Sequence, residues 1–379
     1  MNFSKVSLFL LLVAATFSLI GCSLASNANE SQSIAFDIRN PPIATSPSEL
    51  NLEYSASLSA VGDILIHERV YLDAKNNNRF DFNPMLEKVT PFLQQADLTI
   101  ANSESIVGGS EIGLSTYPSF NSPYEIGAAL KNSGVDVVTL ANNHTLDRGI
   151  PAIENAIRYW DQIAMVHTGA ALSNEERSQI TLVTRNNITF SFLSYTYGTN
   201  GISTPVGMDY LVNRIDPLVI QQDLMRARKV SDVVVLSLHF GQEYESMPNA
   251  EQIALAHFSA ANGADIILGH HPHVLQPPEW IDTEDGRKVF VMYSLGNFLS
   301  GQDGLDRQTG AILHLDIVKK VTVDSSSITL QNPAFTTTFV KSFNEKNYEM
   351  DLLKNVDENL NAATKAHLST WITDLEFIE

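Results

Sequence analysis

Five of the ten histidines stand where they can act together. His144, His239, His270, His271 and His273 each follow a short apolar run, as do Asp63, Glu104, Asn143 and Asn297. Imidazole, carboxylate and amide oxygen without thiolate suit Mn, Fe or Zn-type ions better than Ca or Mg. With so many donors, a hydrolytic centre of two divalent transition metal ions is the economical expectation. A lone histidine at a strand end is ordinarily a packed or capping residue. The run His270-His271-Pro272-His273 is harder to explain that way, because Pro272 stiffens the turn and side chains at i and i+2 lie on one side.

Such donors need elements that bring them to one place. Apolar, β-branched runs at 58–61, 98–101, 135–140, 233–238, 266–268 and 289–293 each stop at a cluster of Gly, Asn, His or acid. Short continuous apolar runs suit strands buried on both faces. Helical patterns at 123–133, 151–164, 216–230 and 250–262 lie between several of them, the second with Pro151 in its first turn and the last stopping at Asn262-Gly263. Alternating strands and helices indicate a layered α/β domain, and open α/β sheets place ligands beyond the carboxyl ends of their strands. Beyond residue 320 the chain offers β-rich stretches and then a polar helical pattern, with no chemistry apparent.

Composition narrows the partners. The chain has 379 residues, 44% hydrophobic and 18% charged, with a formal net charge of -19. That excess of acid argues against nucleic acid, whose sequence-independent affinity comes from Lys and Arg. A single cysteine, Cys22, rules out an intrachain disulfide framework and a cysteine-rich zinc site. Lys5, the apolar run 6–20 and Leu19-Ile20-Gly21-Cys22 describe an export signal ending in a sequence similar to a bacterial lipobox. The expected organisation is a lipoprotein signal peptide at 1–21 and a flexible tether at 22–54. A catalytic-type domain at 55–345 and a polar helical tail at 346–379 complete it. Lipidation at Cys22 would anchor the exported protein to the membrane, on its periplasmic or cell-surface side.

The motifs "VGDILIH", "ANSE", "TLANNHTLDRG", "LHFGQEY", "LGHHPHVLQPPE" and "YSLGNF" resemble the CapA family, the poly-gamma-glutamate capsule synthesis group of the calcineurin-like metallophosphoesterase superfamily. The likeness implies a four-layered αββα sandwich with two metal ions at the ends of its central strands. It implies Asp63 and His273 as ligands of one metal, Glu104 as the bridge, and Asn143, His239 and His271 as ligands of the other. His144 matches the histidine that protonates a leaving group. One departure is Leu65, where the superfamily has a histidine two residues after the first Asp. His67 either replaces that ligand or lies on the first turn of the next helix.

Two dications held by two carboxylates and neutral ligands would leave a positive site able to acidify a bound water and polarise a phosphoester or carbonyl oxygen. His144 would serve as general acid. Asp147 either orients it or caps the following helix. Glu243, Tyr244 and Asn297 are candidates for contact with substrate, with a solvated loop the alternative for the first two. The expected partners are the membrane, an anionic polyglutamate or phosphoester substrate, and capsule-assembly membrane proteins. A metal-dependent hydrolase acting in capsule synthesis or export is the first reading. A non-catalytic polymer-binding or assembly protein with structural metals is the second.

Overall fold

A computed structural model describes residues 51–379. The signal, Cys22 and nearly all of the expected tether lie outside the described residues.

The long strand Asn51–Leu65 opens the described chain, so pairing begins four residues before the domain boundary expected at 55. It lies in the middle of a nine-stranded sheet, between antiparallel Thr309–Thr322 and parallel Leu98–Ser103. Val137–Thr139 and Val166–Thr168 extend one side. Ser326–Phe343 and Lys346–Leu352 extend the other. A second, six-stranded sheet runs in the order Leu275–Asp282, Lys288–Leu295, Ile266–His270, Val233–His239, Ile188–Thr196, Thr181–Arg185.

Three apolar layers explain the continuous hydrophobic runs. Leu58 and Ile100 of the first sheet meet Phe192, Val235 and Leu268 of the second in a core between the sheets. Alternate residues turn outward. Val61 and Val138 pack under Ile126, Ile153 and Trp160 of the helices on one face, and Leu236 and Ile267 pack under Leu224 and Ala256 on the other. Both faces of each central strand are therefore buried, which favours apolar residues at every position rather than alternation. Helix, sheet, sheet, helix is the expected four-layered order.

Local signals set the helices. In Gly149–Gln162 the buried side is Ala152, Ile153, Ala156, Ile157 and Trp160, one stripe of a 3.6-residue period. Asp216 caps Pro217–Ala227 by accepting from the amides of Leu218 and Val219. Asn249 and Gln252 form a reciprocal capping box on Ala250–Ala261. The C-terminal stretch differs from a purely helical tail. It begins with strand Lys346–Leu352, continues through helix Glu358–Leu368, and ends by pairing Glu376–Phe377 to Ser326–Phe343. Its buried Met350, Leu353 and Leu368 tie it to the sandwich, a packing its polar composition conceals. Among the described residues, no helix is long and apolar enough to cross a membrane.

The chain crosses from one sheet to the other beside the site. Lys288–Leu295 belongs to the six-stranded sheet, whereas Asn297–Ser300 pairs in parallel with Asn51–Leu65 in the other. Gly296 makes the crossing at φ +65°, a conformation that disfavours side chains. Its carbonyl accepts the Asp63 amide at 2.9 Å, and a Cβ on Gly62 would stand 1.9 Å from the same oxygen. Glycine at 62 and 296 lets the strands approach where the chemistry-bearing residues begin.

Candidate metal centre

Asp63 follows that junction, at a register shift in its strand, and is fully buried. Its Oδ1 accepts Asn102 Nδ2 at 2.8 Å, and its Oδ2 accepts the His271 amide at 3.2 Å. His273 Nδ1 lies 3.2 Å from Oδ2 and His270 Nδ1 3.3 Å from Oδ1. Glu104, just past Leu98–Ser103, is also fully buried. His239 Nε2 lies 3.5 Å from one of its oxygens and His273 Nδ1 3.7 Å from the other. His239 Nε2 also meets Asn143 Oδ1 at 2.9 Å.

The donors fit a metal ion. Ligand atoms of Glu104, His271 and His273 lie within 4.8 Å of one another. Both Glu104 oxygens, both ring nitrogens of His270 and Nδ1 of His271 are buried without a hydrogen-bond partner. Buried polar atoms are otherwise nearly always satisfied, so five orphaned atoms in one cluster mark a place built for something else. His271 and His273 also adopt φ +97° and +59°, backbone strain of the kind held at functional sites.

The electrostatics agree. Burial alone would raise Asp63, but the neighbouring His270 and His273 imidazoles hold it well below the usual carboxylate range. Burial pushes Glu104 well up, and the Asp63 charge adds to that while His273 opposes it. Burial lowers His239 well below its ordinary value, and burial with the neighbouring His273 takes His271 down to about 3. His273 is raised to about 9: burial opposes this, but Glu104 and Asp63 outweigh it. The buried carboxylates and imidazoles are thus pushed in opposite directions by one another and by burial, as strongly interacting groups are.

His144 stands beside this cluster. Its Nδ1 lies 2.7 Å from Asp147 Oδ2. That same oxygen accepts the Phe120 amide at 2.7 Å, and the Phe120 ring meets the His144 ring edge-on at 4.7 Å. Asp147 therefore orients His144. The following helix takes Arg148, not Asp147, as its N-cap. Asn200 bridges towards both Asn143 and His144, at 3.3 and 3.4 Å.

Other expected site residues fall in different places. His67 caps helix Glu68–Asp73, with Nδ1 near the Leu65 carbonyl at 3.0 Å and the Gly301 amide at 3.2 Å, and its ring against Phe120. Asn297 is buried, and its Oδ1 meets His273 Nδ1 at 3.0 Å. Its amide nitrogen donates to Gln302 and to the Arg307 carbonyl, so it positions a histidine rather than facing the cleft. Glu243 and Tyr244 lie on an exposed loop, with the Tyr244 ring 6.2 Å from His273 and under the Arg307 guanidinium.

Among the neighbours that went unassigned in the sequence are Asn102, Asn200 and Tyr197. Tyr197 packs against His271 with ring centroids 4.6 Å apart. It follows strand Ile188–Thr196, whose apolar run ending in Tyr197-Gly198-Thr199-Asn200 carries the same signal as the others.

The chain is thus a four-layered α/β sandwich with buried carboxylates and histidines at its strand ends, three of them placed so that they could hold a metal ion. The bacterial capsule synthesis protein PGA_cap family model matches residues 57–302, and the chain belongs to that family. It is 29% identical over 276 residues to the PGA biosynthesis protein CapA of Bacillus subtilis (strain 168), covering 70% of this chain and 69% of that one. It is 28% identical over 258 residues to the capsule biosynthesis protein CapA of Bacillus anthracis, covering 65% of this chain and 60% of that one. The match therefore spans less than two thirds of the latter's length. Among solved structures, the calcineurin-like phosphoesterase YfkN from Bacillus subtilis is similar at 14% identity and TM-score 0.46, covering 84% of this chain and 100% of that one. A 5'-nucleotidase precursor from Thermus thermophilus is similar at 12% identity and TM-score 0.40, covering 73% of this chain and 54% of that one.

Proposed function

We propose that this protein is a metal-dependent hydrolase, exported and lipid-anchored through Cys22, that acts on phosphoester or glutamyl amide bonds in capsule synthesis or export. The observation that carries the reading is the buried, unpartnered carboxylate of Glu104 beside His271 and His273, with an oriented His144 next to them. The capsule role comes from the family and the CapA relatives, whose names carry it.

Asp63, Glu104, Asn143, His239, His271 and His273 would hold two Mn, Fe or Zn-type ions. Bound there, such ions supply a nucleophile at neutral pH and polarise the oxygen under attack. The protein's own groups do the rest. Asn102 and the His271 amide fix the Asp63 carboxylate, and Asn297 fixes the His273 ring. Asp147 accepts the Nδ1 proton of His144, which leaves Nε2 to carry the proton a departing group needs. Phe120 limits that imidazole to one orientation and shields it from water.

The test pairs metal content with turnover. The expectation is about two Mn, Fe or Zn per chain and metal-dependent hydrolysis within a panel of phosphoesters and glutamyl amides. Both should vanish in the His271→Ala, His273→Ala double variant. Metal binding without turnover of any panel member would overturn the hydrolase reading and leave the polymer-binding one. Absence of metal after loading with each ion would overturn both.

A further inference from the structure

Beside the metal centre lies a groove of about 570 Å³ that the reaction described above does not use. Ile215, Pro217, Phe240, Leu255 and Phe258 give it an apolar lining, and Tyr197 closes it on the side of the histidines. The two share neighbouring residues. The Tyr197 amide donates to the His239 carbonyl at 3.0 Å, its ring packs on His271, and Phe240 is the residue after His239. One aromatic side chain is thus a wall of both spaces, and it remains half exposed, at 49%. A solvent-facing apolar groove sharing a wall with a polar buried cluster fits a ligand with two unlike ends.

Charge decides what the second end is. Among the described residues that line the groove none is Lys or Arg, whereas Glu251 lies on its rim. On a chain of net charge -19, such a groove repels a second carboxylate or phosphate, whose desolvation it has no partner to offset. A neutral hydrocarbon loses nothing by entering. We infer that the substrate carries a neutral apolar chain next to the group that is hydrolysed, and that this groove holds that chain while the polar group lies on the metal centre. This rests on the hydrolase reading and gives it a substrate class, an amphiphile in place of the next acidic unit of a polyanion.

Binding tests this without turnover. Metal-loaded protein is titrated calorimetrically with n-alkylphosphonates from methyl upward, and with the same chains ending in a carboxylate. Affinity should rise about fourfold per methylene until the groove is filled, and the terminal carboxylate should cancel most of that gain. Ala254 lines the groove from an exposed helix position. Ala254→Trp should flatten the dependence on chain length by filling the space, and Ala254→Glu should do so by charging it, with melting temperatures confirming that both fold. A flat chain-length series in the wild type, with methylphosphonate still bound, overturns the inference and spares the hydrolase reading. Tighter binding of the carboxylate-ended chain overturns it in favour of a polyanion. No affinity for any member overturns it as well, while an amphiphile that binds without any panel substrate being turned over overturns the hydrolase reading and, with it, the assignment of that amphiphile as substrate.

Discussion

Replacing Glu104 with Gln separates a metal ligand from a structural acid. Glu104 is fully buried, and neither of its oxygens has a hydrogen-bond partner, the nearest histidine nitrogens lying 3.5 and 3.7 Å away. Without metal, burial and the Asp63 charge favour its neutral acid form, against the opposing charge of His273. Glutamine is close to that neutral acid in shape and charge, so metal-free stability should change by no more than about 1 kcal/mol. A buried carboxylate holding His273 by charge would behave differently, since breaking such a pair costs about 3–5 kcal/mol. Binding of an ion that needs Glu104 adds RT ln(1 + [L]/Kd), about 2.7 kcal/mol at a hundredfold excess over Kd. For a chain of this size that raises the melting temperature by about 3–4 °C. Scanning calorimetry on chelated protein and on protein loaded with Mn²⁺ or Zn²⁺ should therefore give Glu104→Gln a wild-type melt without metal and almost no rise with it. A variant that loses more than about 3 kcal/mol without metal, yet keeps the full rise, refutes this assignment of Glu104.

Three further outcomes can be checked. Asp147→Asn should lower kcat by up to about 10² with little change in KM and a displaced acid limb in the pH profile, because the Phe120 amide keeps the side-chain oxygen towards His144 Nδ1 while the charge that stabilises the imidazolium is lost; a wild-type profile would exclude that role. Gly62→Ala should destabilise by about 3 kcal/mol or more in urea unfolding, since the new methyl meets the backbone oxygen of Gly296, which no rotamer relieves. His314, held between Ser59 and Thr336, is lowered by burial to about 4 against the partial opposition of Asp316. Its depressed folded value means the unfolded chain binds more protons between about pH 6.5 and 4. Stability is then complete above that window and falls through it by up to about 3 kcal/mol. His314→Gln should flatten that part of the urea-derived stability curve, and an unchanged slope would count against it.

Much of the arrangement is legible in the residues because the central strands advertise themselves. A strand buried on both faces has no polar alternation, so its run ends visibly, and 98–101 and 233–238 lead directly into Glu104 and His239. The buried end of the chain was less legible. Lys346–Leu352 places Met350 inward among Lys, Asn, Glu and Asp, too short an alternation to separate from a helical stripe by period. Asp147 and Asn297 show a second limit. Sequence spacing puts each near a helix or a strand end, but the hydrogen bond that assigns the role runs to a partner fixed by the tertiary turn, His144 in one case and His273 in the other. Tyr197 shows a third, because its place against His271 depends on Ile188–Thr196, Val233–His239 and Ile266–His270, from different parts of the chain, lying side by side.

The position of the cluster has an energetic consequence of its own. Asp63 and Glu104 hang from the nine-stranded sheet, whereas His239, His270, His271 and His273 hang from strands of the six-stranded one. Any ion shared between the two sets joins the sheets at the end where Gly296 already carries the chain across. The sheets' apolar core is continuous below that point, so the cluster cannot form unless the sandwich is closed. Binding free energy at such a site is therefore expressed as global stability rather than as the ordering of one loop. Amide exchange on Val233–His239 and Leu98–Ser103 should slow together on metal loading, to the same extent as the most protected core amides. Slowing confined to the loop around His271 would mean that the ion is held by one sheet alone, and the bridging geometry drawn from Glu104 would be wrong.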